Sequence, residues 1–180
     1  MTSTESSFAA PSRMLACLLL CALAACSANT ARKDIGDTTT FVIVRHAEKA
    51  SDDARDPSLS DTGKTRARNL AHLVADTPLI AAYATGFRRT QQTAQPAADA
   101  HGIKITIYDA KISATALASQ LRAARGHGTV LVVGHSNTVP DIVAALSGQP
   151  VEAMSDDQYD LVYRVRTGSD GKTTLTRDHY

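Results

Sequence analysis

Aromatic side chains are scarce in this chain, which has no tryptophan and an aromatic content of only 4%. Proteins that bind single-stranded nucleic acid stack the bases on aromatic side chains, and an excess of basic residues attracts the phosphate backbone. The formal net charge here is only +1. The composition therefore predicts no nucleic-acid partner, and a basic site must be local.

Cysteine is absent after residue 26, because Cys17, Cys21 and Cys26 all lie near the N-terminus. The rest of the chain can therefore form neither a disulfide nor a thiolate metal site. Long apolar runs are also missing: residues 14–25, preceded by Arg13, are too few to span a bilayer as a helix. That length is typical of the hydrophobic region of a secretory signal peptide.

Leu23, Ala24 and Ala25 come directly before Cys26, and this short stretch resembles the lipobox of bacterial lipoproteins. The resemblance implies cleavage before Cys26 and a lipid on its thiol. Ser27 does not match the signal that retains lipoproteins in the inner membrane, so the implied location is the periplasmic side of the outer membrane. We predict a signal peptide at 1–25, a tether at 26–39 and a domain at 40–180.

Strands and helices alternate through the predicted domain. Apolar, β-branched runs predict strands at residues 40–44, 79–85, 103–108 and 129–134. Helical spacing of apolar residues predicts helices at about 60–76, 89–100, 112–125 and 137–146, the second kinked or shortened by Pro96. Two alternating segments around residues 168–171 predict a C-terminal β-hairpin. We therefore expect an α/β domain with a mostly parallel sheet covered by helices on both faces.

Basic residues follow three of these strands. Arg45 and His46 follow the first strand, Arg88 and Arg89 the second, and His135 the last strand of the alternating series. Because the site of a parallel sheet lies beyond the carboxyl ends of its strands, we expect these side chains to converge. Guanidinium groups would repel a metal ion from the two imidazoles, whereas the whole set suits a phosphate dianion.

The segments "VRHAEK", "LSDTGKTRA", "GFRRTQQTA" and "VLVVGHSNT" together resemble the histidine phosphatase superfamily, also called phosphoglycerate mutase-like. The short domain is closest in size to the phosphohistidine phosphatase branch. The resemblance implies that His46 attacks phosphorus and that Arg45, Arg89 and His135 hold the phosphoryl oxygens. It implies no metal and no cofactor, because the positive charge is built in.

The general acid of the family pattern has no obvious counterpart here. Ser136 stands where some members have Asp, and no Glu lies between Arg89 and His135. The candidates for the acid are Asp109, at the end of a strand, and Glu48, just past His46. Whether Lys49 or Arg88 contacts substrate stays open.

Ser136 raises the alternative of a serine hydrolase, because it follows a strand within a Gly-His-Ser sequence. That motif requires glycine two residues after the serine, where this chain has Thr138. We therefore expect Ser136 to cap a helix or to donate a hydrogen bond to phosphate. Two functions remain: a phosphatase acting on a small phosphorylated substrate or a phosphoprotein, or a phosphate-binding protein without turnover. The sequence defines neither the substrate nor the oligomeric state.

Overall fold

The structure is a computed structural model, and it describes residues 1–3, 38–123 and 126–180. The predicted signal peptide beyond its first three residues and Cys26 lie outside the described residues, as does the predicted tether except for its last two residues. Within the described parts of the chain, no helix combines the length and the apolar character that crossing a membrane requires.

The described residues form six strands and four helices that alternate up to the fourth helix. The elements are β1 (Thr39–Arg45), α1 (Asp61–Val74), β2 (Leu79–Thr85), α2 (Arg88–Ala100), β3 (Ile105–Tyr108), α3 (Ala114–Ala123), β4 (Gly128–Gly134), α4 (Val139–Ser147), β5 (Leu161–Thr167) and β6 (Thr173–His179).

All six strands belong to one sheet with the order β3-β2-β4-β1-β5-β6. The pairs β3–β2, β2–β4 and β4–β1 are parallel. Strand β5 runs antiparallel to β1 and forms the C-terminal hairpin with β6. The predicted α/β fold, its mostly parallel sheet and its C-terminal hairpin are confirmed.

Helices cover both faces of the sheet, and the alternation of β1 shows why. Phe41 and Ile43 pack in one core cluster with residues of α3 and α4, whereas Val42 and Val44 pack in another with residues of α1 and α2. All four side chains are buried. A strand buried on both faces needs a continuous apolar run rather than an alternating one, and such a run marks β1 in the sequence.

The structure tests two expectations about the helices. Helix α2 spans Arg88–Ala100, so it ends where the sequence predicted and is not shortened by Pro96; Ala97 and Ala98 after the proline are fully buried in the core. Helix α4 begins at Val139 with Thr138 at the N-cap position, so the expectation that Ser136 caps this helix was wrong, and Ser136 lies in the preceding loop.

The loop between β1 and α1 is held by close backbone packing. The carbonyl oxygen of Glu48 accepts a hydrogen bond of 2.9 Å from Ser60 N. It also lies so close to Gly63 that a Cβ there would overlap with it. Glycine at position 63 therefore lets α1 approach the backbone that follows His46, and this contact positions the first part of the site.

Candidate active site

Neighbouring parallel strands bring the two predicted histidines together. Arg45 pairs with Gly134 in the register of β1 and β4, and His46 N donates a hydrogen bond of 2.9 Å to the Gly134 carbonyl. His46 and His135 therefore leave the same edge of the sheet, with their ring centroids 5.3 Å apart. One phosphoryl group is small enough to contact both rings.

The His46 ring is held in one tautomer by its own backbone. Nδ1 lies 2.8 Å from the Ala47 carbonyl oxygen, and because a carbonyl only accepts, Nδ1 carries the proton. In a neutral ring Nε2 then has a free lone pair. The amide of Ala47 donates in turn to Thr93 Oγ1 at 2.9 Å, and this hydroxyl donates to the Arg89 carbonyl at 2.7 Å. Thr93 thus links the backbone of His46 to the start of α2.

The surroundings of both histidines favour their neutral form. Burial is the largest cause and lowers the pKa of His46 to about 3, with the charges of Arg45 and Arg89 acting in the same direction against the bond to Ala47. Burial and the same two arginines lower the pKa of His135 to about 4. Nε2 of His135 shares a hydrogen bond of 3.2 Å with Thr85 Oγ1, which fixes the orientation of this ring.

The two guanidinium groups are buried with part of their hydrogen-bonding capacity unused. Arg45 is only 3% exposed, and the Arg89 side chain is 15% exposed. Nε of Arg45 and both Nε and Nη1 of Arg89 are buried with no hydrogen-bond partner among the described residues. Unsatisfied buried donors of this kind are rare in native proteins, so the positive charge of the two guanidinium groups is only partly compensated here.

Aromatic rings pack against both arginines. The Cζ atom of Arg45 lies 4.1 Å from the centre of the Tyr159 ring, and that of Arg89 lies 4.3 Å from the centre of the Phe87 ring. Phe87 also meets His135 edge to face at 5.4 Å. These stacking contacts fix the planes of the guanidinium groups without using their N–H donors.

The four predicted basic side chains line one cavity of about 390 Å³, which we call the basic cavity. Lys49, Lys111 and Ser136 also line it, and Asp156 is the one carboxylate among its described lining residues. Four lysine and arginine side chains against one carboxylate make this a site for an anion. Within the described residues, no group of three or more histidine, aspartate and glutamate side chains is arranged to hold a metal ion.

Arg88 does not line the basic cavity, although it adjoins Arg89 in the sequence. Its Nη2 pairs with Asp52 at 3.4 Å, and its backbone amide donates to Asp56 Oδ1 at 2.9 Å. Arg88 therefore holds the acidic loop after β1 against the start of α2. Lys49, whose role the sequence left equally open, does line the cavity.

The two sequence candidates for the general acid both lie elsewhere. Glu48 accepts hydrogen bonds of 2.7–3.0 Å from Nε and Nη2 of Arg66. Burial alone would raise the pKa of Glu48, but Arg66 outweighs it and holds this pKa below its usual value. Asp109 lines a neighbouring cavity, and its Oδ1 accepts from Lys111 N at 2.9 Å. Neither carboxylate points to the basic cavity.

Sequence reasoning missed Asp156 and Tyr159, which reach the site from the loop before β5. That loop arrives at the active edge because β5 is antiparallel to β1, so it starts where β1 ends. The predicted hairpin was a signal for β5, but nothing in the sequence indicated its pairing with β1. Phe87 and Lys111 were missed because their roles depend on side-chain packing around the cavity.

A comparison with protein families agrees with the geometry. The model of the histidine phosphatase superfamily (branch 1) matches residues 41–113. This segment contains Arg45, His46 and Arg89, whereas His135 lies beyond it. No curated protein sequence matches the chain.

Solved structures share the fold at low sequence identity. The protein histidine phosphatase SixA complexed with tungstate has 19% identity and a TM-score of 0.61, covering 78% of this chain and 96% of its own. A mycobacterial glucosyl-3-phosphoglycerate phosphatase has 14% identity and a TM-score of 0.60, with coverage of 79% and 98%. Phosphoglycerate mutase from Bacillus anthracis has 16% identity and a TM-score of 0.57, with coverage of 82% and 95%. The chain therefore matches the histidine phosphatase superfamily through residues 41–113, and its described domain has the fold of these phosphatases and this mutase.

Proposed function

We propose that the domain is a metal-independent phosphatase that acts through a phosphohistidine intermediate on His46. The observation that carries this proposal is the basic cavity itself. A neutral imidazole with a free Nε2 lies beside buried guanidinium N–H groups that have no hydrogen-bond partner among the described residues. These are the two requirements of phosphoryl transfer without a metal: a nucleophile that is not protonated and positive charge around the transferred group.

The nucleophile acts from the buried side of the cavity. Nε2 of His46 attacks phosphorus, and the P–O bond to the leaving group breaks as the P–N bond forms. The Ala47 carbonyl keeps accepting from Nδ1 and so stabilises the charge that develops on the ring. Water then attacks phosphorus, the P–N bond breaks, and its electron pair returns to Nε2.

Arg45, Arg89 and His135 hold the phosphoryl oxygens during both steps. Their donors are fixed by packing and by hydrogen bonds, so little reorganisation is needed when charge shifts onto the oxygens. The substrate that we propose is a phosphomonoester or a phosphorylated envelope or protein substrate. The structural neighbours support both classes, since one is named a protein histidine phosphatase and another a glucosyl-3-phosphoglycerate phosphatase.

A phosphate-binding protein of the same fold is the second candidate. It is favoured by one observation: Glu48 is held by Arg66, and Asp109 lines a different cavity. Without a proton donor, the same cavity would bind phosphate and phosphorylated ligands but turn over poor leaving groups slowly.

Turnover of an activated aryl phosphate by the full-length chain, in the presence of a chelator, separates these functions. We expect His46→Ala to lower kcat by roughly 10³-fold or more, because the nucleophile is lost. Ser136→Ala should retain turnover, and His72→Ala, at an exposed position of α1, is the unchanged control. Tight phosphate binding without turnover of any ester, or full activity in His46→Ala, would contradict the phosphatase.

Imidazole nitrogen shifts in ¹⁵N NMR spectra test the state of the nucleophile. The pKa of His46 is lowered to about 3 and that of His135 to about 4, so both rings should be neutral at about pH 5.5. His46 should show a protonated Nδ1 and an unprotonated Nε2. Spectra of His46→Asn and His135→Asn assign the signals. A His46 ring that gains its proton near the ordinary histidine value would show that burial does not keep the nucleophile free.

We also propose that a lipid on Cys26 anchors this domain at the periplasmic side of a bacterial membrane. The support is the sequence alone: an apolar run of suitable length and small residues before Cys26. When a bacterial host that expresses the chain is grown with labelled palmitate, the chain should carry the label. Cys26→Ser should abolish the label. The matched control is Cys21→Ser, which should keep it. A label that survives Cys26→Ser would rule out this anchor.

A further inference from the structure

The loop before β5 is held on the basic cavity by Arg45. Nη1 of Arg45 donates to the carbonyl oxygens of Ser155 and Gln158, at 3.1 and 3.2 Å. The Tyr159 ring stacks on the same guanidinium. Asp156 lies between these contacts, so the residue that binds phosphate also sets the position of this carboxylate.

The Asp156 carboxylate has one oxygen engaged and one available. Oδ1 accepts a hydrogen bond of 3.3 Å from Ser136 Oγ and lies 3.8 Å from Nη2 of Arg45. Among the described residues, Oδ2 has no hydrogen-bond partner. The side chain is 96% exposed, whereas His46 is only 4% exposed. Asp156 therefore lies at the solvent side of the cavity and the nucleophile at its base.

Phosphoryl transfer places the leaving oxygen opposite the attacking atom. With His46 attacking from the buried side, the leaving oxygen points to the mouth of the cavity. Asp156 is the one carboxylate that lines this cavity within the described parts of the chain.

We infer that Asp156 is the general acid of this site and gives its proton to the leaving oxygen. As the P–Nε2 bond forms and the P–O bond breaks, the leaving oxygen takes the electron pair of that bond and the proton of Asp156. The product is a neutral alcohol and an Asp156 carboxylate. In the second step this carboxylate takes a proton from the attacking water as the water oxygen bonds to phosphorus. The P–Nε2 bond breaks, its electron pair returns to Nε2, and free phosphate leaves.

This assignment narrows the substrate class and rests on the proposed phosphatase activity. A good leaving group departs without a proton, whereas an alkoxide needs one. An acid at the mouth is therefore useful for phosphomonoesters of ordinary alcohols. It is of little use for phosphohistidine, whose leaving group is good.

The dependence of rate on the leaving group tests the inference with full-length variants. The substrates are 4-nitrophenyl phosphate, phenyl phosphate and ethyl phosphate, whose alcohols leave progressively less readily. In Asp156→Asn we expect kcat/KM for ethyl phosphate to fall by roughly 10²-fold or more, with little change for 4-nitrophenyl phosphate. The matched control is Asp157→Asn, since Asp157 is also an exposed carboxylate of this loop but bonds to Ser155.

Each other outcome contradicts the inference. Equal effects of Asp156→Asn on all three esters, or tighter phosphate binding with unchanged rates, would make Asp156 only a counter-ion of Arg45. The same loss in Asp157→Asn would assign the effect to the charge of the loop. A wild-type chain that hydrolyses none of the esters would overturn the proposed function and this inference with it. If the wild-type chain is active and Asp156→Asn shows the same dependence on the leaving group, the inference alone would be overturned.

Discussion

Two guanidinium groups and two imidazole rings share one cavity at the end of a parallel sheet, and burial there is the constraint on which the site depends. Removing charged groups from water costs free energy unless they are paired. The nearest carboxylates to Arg45 and Arg89, those of Asp156 and Asp56, lie at 3.8 and 3.7 Å, beyond hydrogen-bond distance. The same surroundings keep the histidines neutral, since a third positive charge is disfavoured. We propose that a phosphate dianion in the cavity compensates this positive charge.

The sheet order explains how so much positive charge is held in one place. Strand β1 lies inside the sheet, between the parallel β4 and the antiparallel β5. Its end therefore meets the end of β4, which supplies His135, and the start of β5, whose preceding loop accepts the hydrogen bonds of Arg45. Aromatic rings of Tyr159 and Phe87 pack against the guanidinium groups. Groups that are fixed in this way would need little movement during the proposed reaction.

The sequence predicted those parts of the site that follow from strand ends. Buried apolar runs locate β1 and β4, and parallel pairing then brings Arg45, His46 and His135 to one edge. The acid was not predictable in this way. Glu48 is next to the site in sequence, yet Arg66 of α1 binds its carboxylate, and Asp109 faces a different cavity. Asp156 reaches the site through bonds between Arg45 and carbonyl groups more than a hundred residues away, and no local pattern indicates such a contact. Pro96 does not shorten α2, and Ala97 and Ala98 beyond it are buried in the core.

The covalent intermediate is the most direct test of the account. The full-length chain is mixed with an aryl phosphate, quenched in base during turnover, digested and analysed by mass spectrometry. The account predicts one phosphoryl group on the His46 ring, stable in base and lost in acid, and absent from His46→Ala. A phosphoryl group on Ser136 instead, or turnover without any adduct on His46, would contradict it.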